Sequence, residues 1–142
     1  MITREQMIQL LLEACPSFQK EWDAHREEYG EEILYYVVLG DFACHLLDLH
    51  QKQQVETFPV IARVIERLHV EGDSYVREAA TIGLLEGIQN VWGNNHVDPE
   101  LFFPHLLPVS GKWWRSLNDF WNGKSKFVGE GLTQNENETQ TR

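Results

Sequence analysis

A chain of 142 residues is long enough for one domain with a true core and short for two. Its 42% hydrophobic and 11% aromatic content excludes a disordered polymer. A net charge of −10 excludes a surface built to neutralise nucleic-acid phosphates and points to a basic partner instead.

The opening residues lack the pattern of a signal peptide, and the apolar run at 33–39 is too short to cross a bilayer. The expectation is a cytoplasmic protein with no membrane partner. Cys15 and Cys44 fall inside apolar helical patterns, so both read as buried free thiols.

Thr3 and Gln6 have the spacing of a capping box, and Met7, Leu10, Leu11 and Ala14 give the stripe of a first helix. Cys15 and Pro16 end it. Ser17 is placed to cap a second helix through Tyr29, with Phe18, Trp22 and His25 or Tyr29 inward and Gly30 after it. A third helix is predicted from Glu32 to Gln51, with Gly40 where another helix crosses. Thr57 opens a fourth, with Pro59 in its first turn.

Residues 72–91 read as the organising helix. Gly72 ends the preceding helix and Asp73 or Ser74 caps this one. Ala79, Gly83 and Gly87 then form a stripe with almost no side chain, although a helical glycine costs up to about 1 kcal/mol relative to alanine. That recurring cost predicts a second backbone lying close. Asp98 and Pro99 open a short helix over 101–107, which Pro108 closes. Ser110 caps a last helix whose inner face is Trp114, Leu117 and Trp121. The sum is an all-α domain over 1–123, a compact bundle or short α-solenoid of six to seven helices. Residues 124–142 follow as a polar tail, expected to be disordered from Thr133 onward.

Two helices joined by a short Gly-Asp turn, the second running Asp73, Val76, Arg77, Ala79, Ala80, resemble a HEAT repeat over residues 58–91. The resemblance implies an antiparallel helix pair needing stacked neighbours. More broadly, Pro16-Ser17-Phe18 with Trp22, the stretch 39–43 with Leu46, the stretch 71–80, and Trp114, Leu117, Phe120 and Trp121 look like a family of small uncharacterised bacterial helical proteins. That likeness implies a compact helical domain and no established activity.

Candidate chemistry is sparse. Asp41, His45 and Asp48 share one helix face, and Glu66 and His69 form a Glu-x-x-His pair on another helix. Together they are a possible metal set, but a di-iron bundle needs two such motifs. The plain alternative is a solvated polar face. Neither a nucleophile elbow nor a phosphate loop is present, and adjacent Cys44 and His45 diverge on a helix, so no catalytic residue and no cofactor is predicted. Glu27, Glu28, Glu31 and Glu32 crowd the end of the second helix, where the helix dipole disfavours acids. Tyr35 and Tyr36 follow directly, and Trp113 is expected to be exposed beside Lys112 and Arg115. Exposed aromatics beside charge are frequent interface anchors. The leading expectation is a non-catalytic, acidic protein-binding module, most concretely an immunity-type protein occluding a basic toxin such as a nuclease. The alternatives are a metal-binding protein or metal-dependent enzyme using Asp41, His45, Asp48, Glu66 and His69, and a homodimer built on exposed aromatics. The sequence leaves the oligomeric state open.

Overall fold

The computed structural model describes residues 1–132, and they are all-α. The helices are α1 (Arg4–Ala14), α2 (Gln19–Tyr29), α3 (Tyr35–Gln51), α4 (Phe58–Glu71), α5 (Ser74–Glu78), α6 (Glu86–Asn94) and α7 (Pro108–Trp121). A 3-10 turn at Pro16–Phe18 leads into α2, and two more, Pro99–Leu101 and Phe103–His105, replace the single short helix expected over 101–107. The predicted disorder from Thr133 lies outside the described residues.

The capping box forms as predicted. Thr3 Oγ1 accepts from Gln6 N, and Gln6 Oε1 accepts from Thr3 N at 2.9 Å. The residues before it do unforeseen work. Ile2 N donates to Glu71 O at 2.8 Å and Asp73 N donates to Ile2 O at 3.0 Å, so the start of the chain is clipped to the α4–α5 turn. Gly72 sits in that turn with extended backbone, φ −71° and ψ 153°, rather than in the left-handed conformation of a typical C′ glycine. Its role is clearance, because a Cβ there would stand 2.6 Å from Val76 Cγ1.

Between α5 and α6 the residues Ala79–Leu85 form a π-helical segment. The residues at both seams stay in the right-handed helical region, so 74–94 is one unbroken helix with a widened middle. Along an α-helix, steps of four overshoot a full turn by about 40°. A wider π turn holds more residues, so the same step falls short, and alternating the two keeps Gly83 and Gly87 aligned.

What lies against that stripe is α3. A Cβ on Gly83 would meet Leu39 Cδ1 at 2.5 Å, and one on Gly87 would meet Ala43 Cβ at 3.6 Å. The predicted close approach is therefore real, and α3 makes it. Gly40 was expected to mark a crossing but has nothing within 4 Å of its would-be Cβ. The long helix packs chiefly on α3, with α4 and α7 on its other sides. A regular stacked repeat would make α4 its principal neighbour, so the arrangement is a bundle around 74–94.

The core is continuous, with Leu11, Phe18, Leu39, Phe42, Leu46, Ile61, Ile65, Trp92, Phe102 and Trp114 essentially inaccessible. Its tryptophans correct the sequence reading. Trp114 is buried as expected, but Trp121 is 61% exposed and Trp113 is half-buried. The cause lies in 124–132, expected as the beginning of the tail. This stretch turns back on α7, where Gly129 N donates to Ser116 Oγ and the Gly129 backbone lies against the Trp113 ring. Cys15 is buried, whereas Cys44 is exposed because it falls on the polar side of α3 between Asp41 and Asp48.

Three glycine substitutions separate clearance from propensity. Gly83→Ala should destabilise by about 1–3 kcal/mol, since Leu39 is fully buried and has nowhere to move. Gly87→Ala and Gly40→Ala should be neutral or stabilising by up to about 1 kcal/mol. Urea denaturation midpoints of the three variants check the order.

Candidate functional site

The acidic helix α2 buries only one residue, His25. His25 Nε2 accepts the backbone N–H of Leu34 at 3.1 Å, satisfying an orphan donor at the start of α3. The ring stacks on Trp22 at 6.2 Å and lies 4.6 Å from Tyr29. That bond holds the 30–34 turn against α2, and α3 accordingly begins at Tyr35 rather than Glu32.

Pinned this way, α2 has grooves on both flanks. Toward α1 is an open groove of about 760 Å³. One wall is Glu5, Ile8, Gln9 and Leu12 of α1, the other Trp22, Asp23, Arg26 and Glu27 of α2, and Gly30, Glu31, Ile33 and Tyr35 close the end. Toward α3 are two smaller pockets. One, of about 230 Å³, is lined by Glu21, Asp41, Cys44, His45 and Asp48; the other, of about 370 Å³, includes Glu28, Tyr29 and Val37. Partial burial pushes the Asp41 carboxyl above the usual carboxylate range; His25 opposes this, and Glu21 and Glu28 reinforce it.

The predicted partner residues are thus divided. Glu27, Glu31 and Tyr35 share the α1 flank, while Glu28 faces the α3 flank. Glu32 is exposed and lines neither. Tyr36 is 40% exposed and turns toward Tyr75, with ring centroids 6.0 Å apart. Its hydroxyl is pushed up to about 12, first by partial burial and then by Glu78 and Tyr75. Trp113 belongs to a different face altogether, on α7 under the 124–132 turn-back. Sequence reasoning missed Ile8, Leu12, Trp22 and Ile33 as a floor. A signal was present in the unbroken apolar stretch Leu10, Leu11, Leu12, which is wider than one buried stripe requires.

The five residues proposed as a metal set do not come together, and no cluster of three or more ligand-type side chains with metal-holding geometry occurs among the described residues. His45 Nε2 is 2.7 Å from Ser17 Oγ, which ties α3 to the start of α2. Glu66 accepts from Val109 N, Ser110 N and Ser110 Oγ at 3.1, 2.9 and 2.8 Å, a carboxylate capping the N-terminus of α7. Pro108 therefore opens α7 instead of closing a preceding helix, and Ser110 is buried inside it. His69 Nδ1 lies 3.0 Å from Ser110 Oγ and 3.1 Å from Ile65 O, and Nε2 lies 2.9 Å from Thr81 Oγ1. Ser110 spends its proton on Glu66, so it accepts from His69 Nδ1–H, and Nε2 accepts from Thr81. The direction of every bond follows. This chain joins α4, α7 and the π segment and engages both ring nitrogens of His69.

Burial lowers the His69 pKa to about 4, against lesser pulls upward from Ile65 O and Glu66. The folded state therefore resists a proton that the unfolded state takes up near the ordinary value of about 6.5. Stability is fully present above pH 6.5 and is lost as pH falls toward 4. Denaturation midpoints between pH 7 and pH 4 should show that fall, and His69→Gln should flatten the His69 part of it.

No curated protein and no solved structure matches this chain. A model described as a domain of unknown function, DUF7674, matches residues 8–122, from within α1 past the end of α7. With most of α1 and all of α2 to α7 inside that match, the chain belongs to the DUF7674 family, a family of unknown function.

Proposed function

We propose that this domain is a non-catalytic protein-binding module whose acidic face on α1, α2 and the 30–35 turn receives a basic partner. The observation that carries the reading is the state of the carboxylates there. No basic side chain among the described residues lies within ion-pair distance of Asp23, Glu27, Glu28, Glu31 or Glu32. Gathered acids repel one another at some cost, and a cationic partner relieves that repulsion while speeding encounter. Glu27 and Glu28 also stand in the last turn of α2, the end at which the helix dipole disfavours them.

The most concrete form of this reading is an immunity-type protein that occludes a basic toxin, its acids standing in for the charge of a nucleic-acid substrate. Supporting it is the net charge of −10.

The test is affinity capture from the native host with the tagged full-length chain, followed by size-exclusion chromatography at low and high salt. The expected result is one stoichiometric basic partner that dissociates as the Debye length contracts from about 10 Å at 0.1 M to about 3 Å at 1 M. Unchanged capture after Glu27→Gln, Glu28→Gln, Glu31→Gln and Glu32→Gln together would remove this face from consideration.

A further inference from the structure

We infer that the groove between α1 and α2 receives a short cationic amphipathic segment of the partner, with bulky apolar side chains on the groove floor and Lys or Arg on its rim. The inference rests on the binding-module reading and adds which flank of α2 is used and what chemistry fits it.

The floor is apolar and only partly covered. Ile8 and Leu12 form its base, and Trp22, Ile33 and Tyr35 are half-buried, so each keeps surface that a partner would remove from water. The rim is predominantly acidic. Glu5, Asp23, Glu27 and Glu31 line it against a single base, Arg26. Glu5 is paired with Arg4 and Asp23 accepts from Gln19, which leaves Glu27 and Glu31 as the carboxylates with most capacity. The α3 flank has acids too, but its pockets are smaller and lack a comparable apolar floor.

Size limits the occupant. The α1 wall runs from Glu5 to Leu12, about 10 Å at helical rise. That length holds two turns of a helix or about three extended residues. The volume of about 760 Å³ lies within the ordinary range of ligand sites. A second copy of this chain is a poor occupant, because a protein of net charge −10 offers the groove little complementary charge.

Arg26 shows what the site accepts. Its guanidinium carbon lies 6.0 Å from the centroid of Trp22, so the chain's own cation already occupies the aromatic face. A partner cation would compete with Arg26 for that face and be repelled by it. Removing Arg26 should therefore tighten binding, the opposite of what removing a structural residue does.

The experiment is an NMR titration of the isotope-labelled full-length chain with a synthetic peptide of alternating Leu-Leu and Lys-Lys pairs. Two control peptides replace Leu by Ser or Lys by Glu. Saturable shifts are expected at the amides of Ile8, Leu12 and Ile33 and at the Trp22 indole, with the controls at least about tenfold weaker. Glu27→Gln with Glu31→Gln should weaken binding roughly two- to tenfold, as expected for two exposed ion pairs, and Arg26→Gln should strengthen it. Circular dichroism confirms that these exposed variants remain folded. Equal binding of the Ser-Lys peptide overturns the inference, since the floor would then contribute nothing. Shifts confined to Glu28, Asp41 and Asp48 overturn it while leaving the acidic-module reading standing. Absence of binding by every cationic peptide overturns it as well, and host capture then decides the broader reading separately.

Discussion

The clearance at Gly83 sets the spacing on which the rest of the bundle depends. A side chain there would collide with Leu39, so only glycine lets α3 lie against the helical run 74–94. Once α3 is seated, its neighbouring apolar face has to be covered, and Phe18 does this by packing edge-on against Phe42 at 4.9 Å. The 3-10 turn that holds Phe18 delivers the chain into α2, and His25 fastens the far end of α2 to the start of α3. A helix with one buried residue would otherwise have little to hold it, since most helical stability comes from packing an apolar face. The groove toward α1 exists because α2 is tied at both ends to α3 rather than pressed down onto α1.

A second constraint acts at the other side of the long helix. The hydrogen-bond chain from Thr81 through His69 and Ser110 to Glu66 links three elements distant in sequence. Buried polar groups are costly unless each finds a partner, and here each does. Thr81 lies inside the π segment. The widened turn therefore meets two demands at once: it keeps the glycine stripe aligned toward α3 and brings the Thr81 hydroxyl to His69. π segments are rare, and one that serves two packing partners has a physical reason to persist.

Legibility in the sequence followed the range of the interaction. Thr3 with Gln6, and Asp73 with the N–H of Val76, were readable because a cap is decided within four residues. The close approach at Gly83 was readable because repeated glycine in a helix carries a cost that needs a compensating contact. Ser110 was misread as a cap because its true partners, Glu66 and His69, lie some forty residues earlier. Trp113 and Trp121 exchanged roles because the 124–132 turn-back covers one and not the other. Periodicity supplied the fold class but could not reveal the π segment, which differs from an α-helix by only one residue per hydrogen-bonded turn. The acids of α2 were seen as one cluster because sequence proximity hides the direction in which each points.

That division of acids is the strongest reason to treat α2 as a presenting element. Helices that only cover a core place their charged residues on a single solvated face. Here Asp23 and Glu27 line one flank, Glu21 and Glu28 line the other, and on each flank the carboxylates outnumber the lining bases. The two flanks differ in what lies beneath the charge. On the α3 side, His45 is tied into the fold by its contact with Ser17. On the α1 side, the charge stands over Ile8 and Leu12, already buried, and over Trp22 and Ile33, whose remaining surface contributes nothing further until something covers it. Charge alone gives encounter rate, and apolar area alone gives adhesion without selectivity. A surface combining the two, on a helix pinned at both ends, has the composition expected of a pre-formed recognition site.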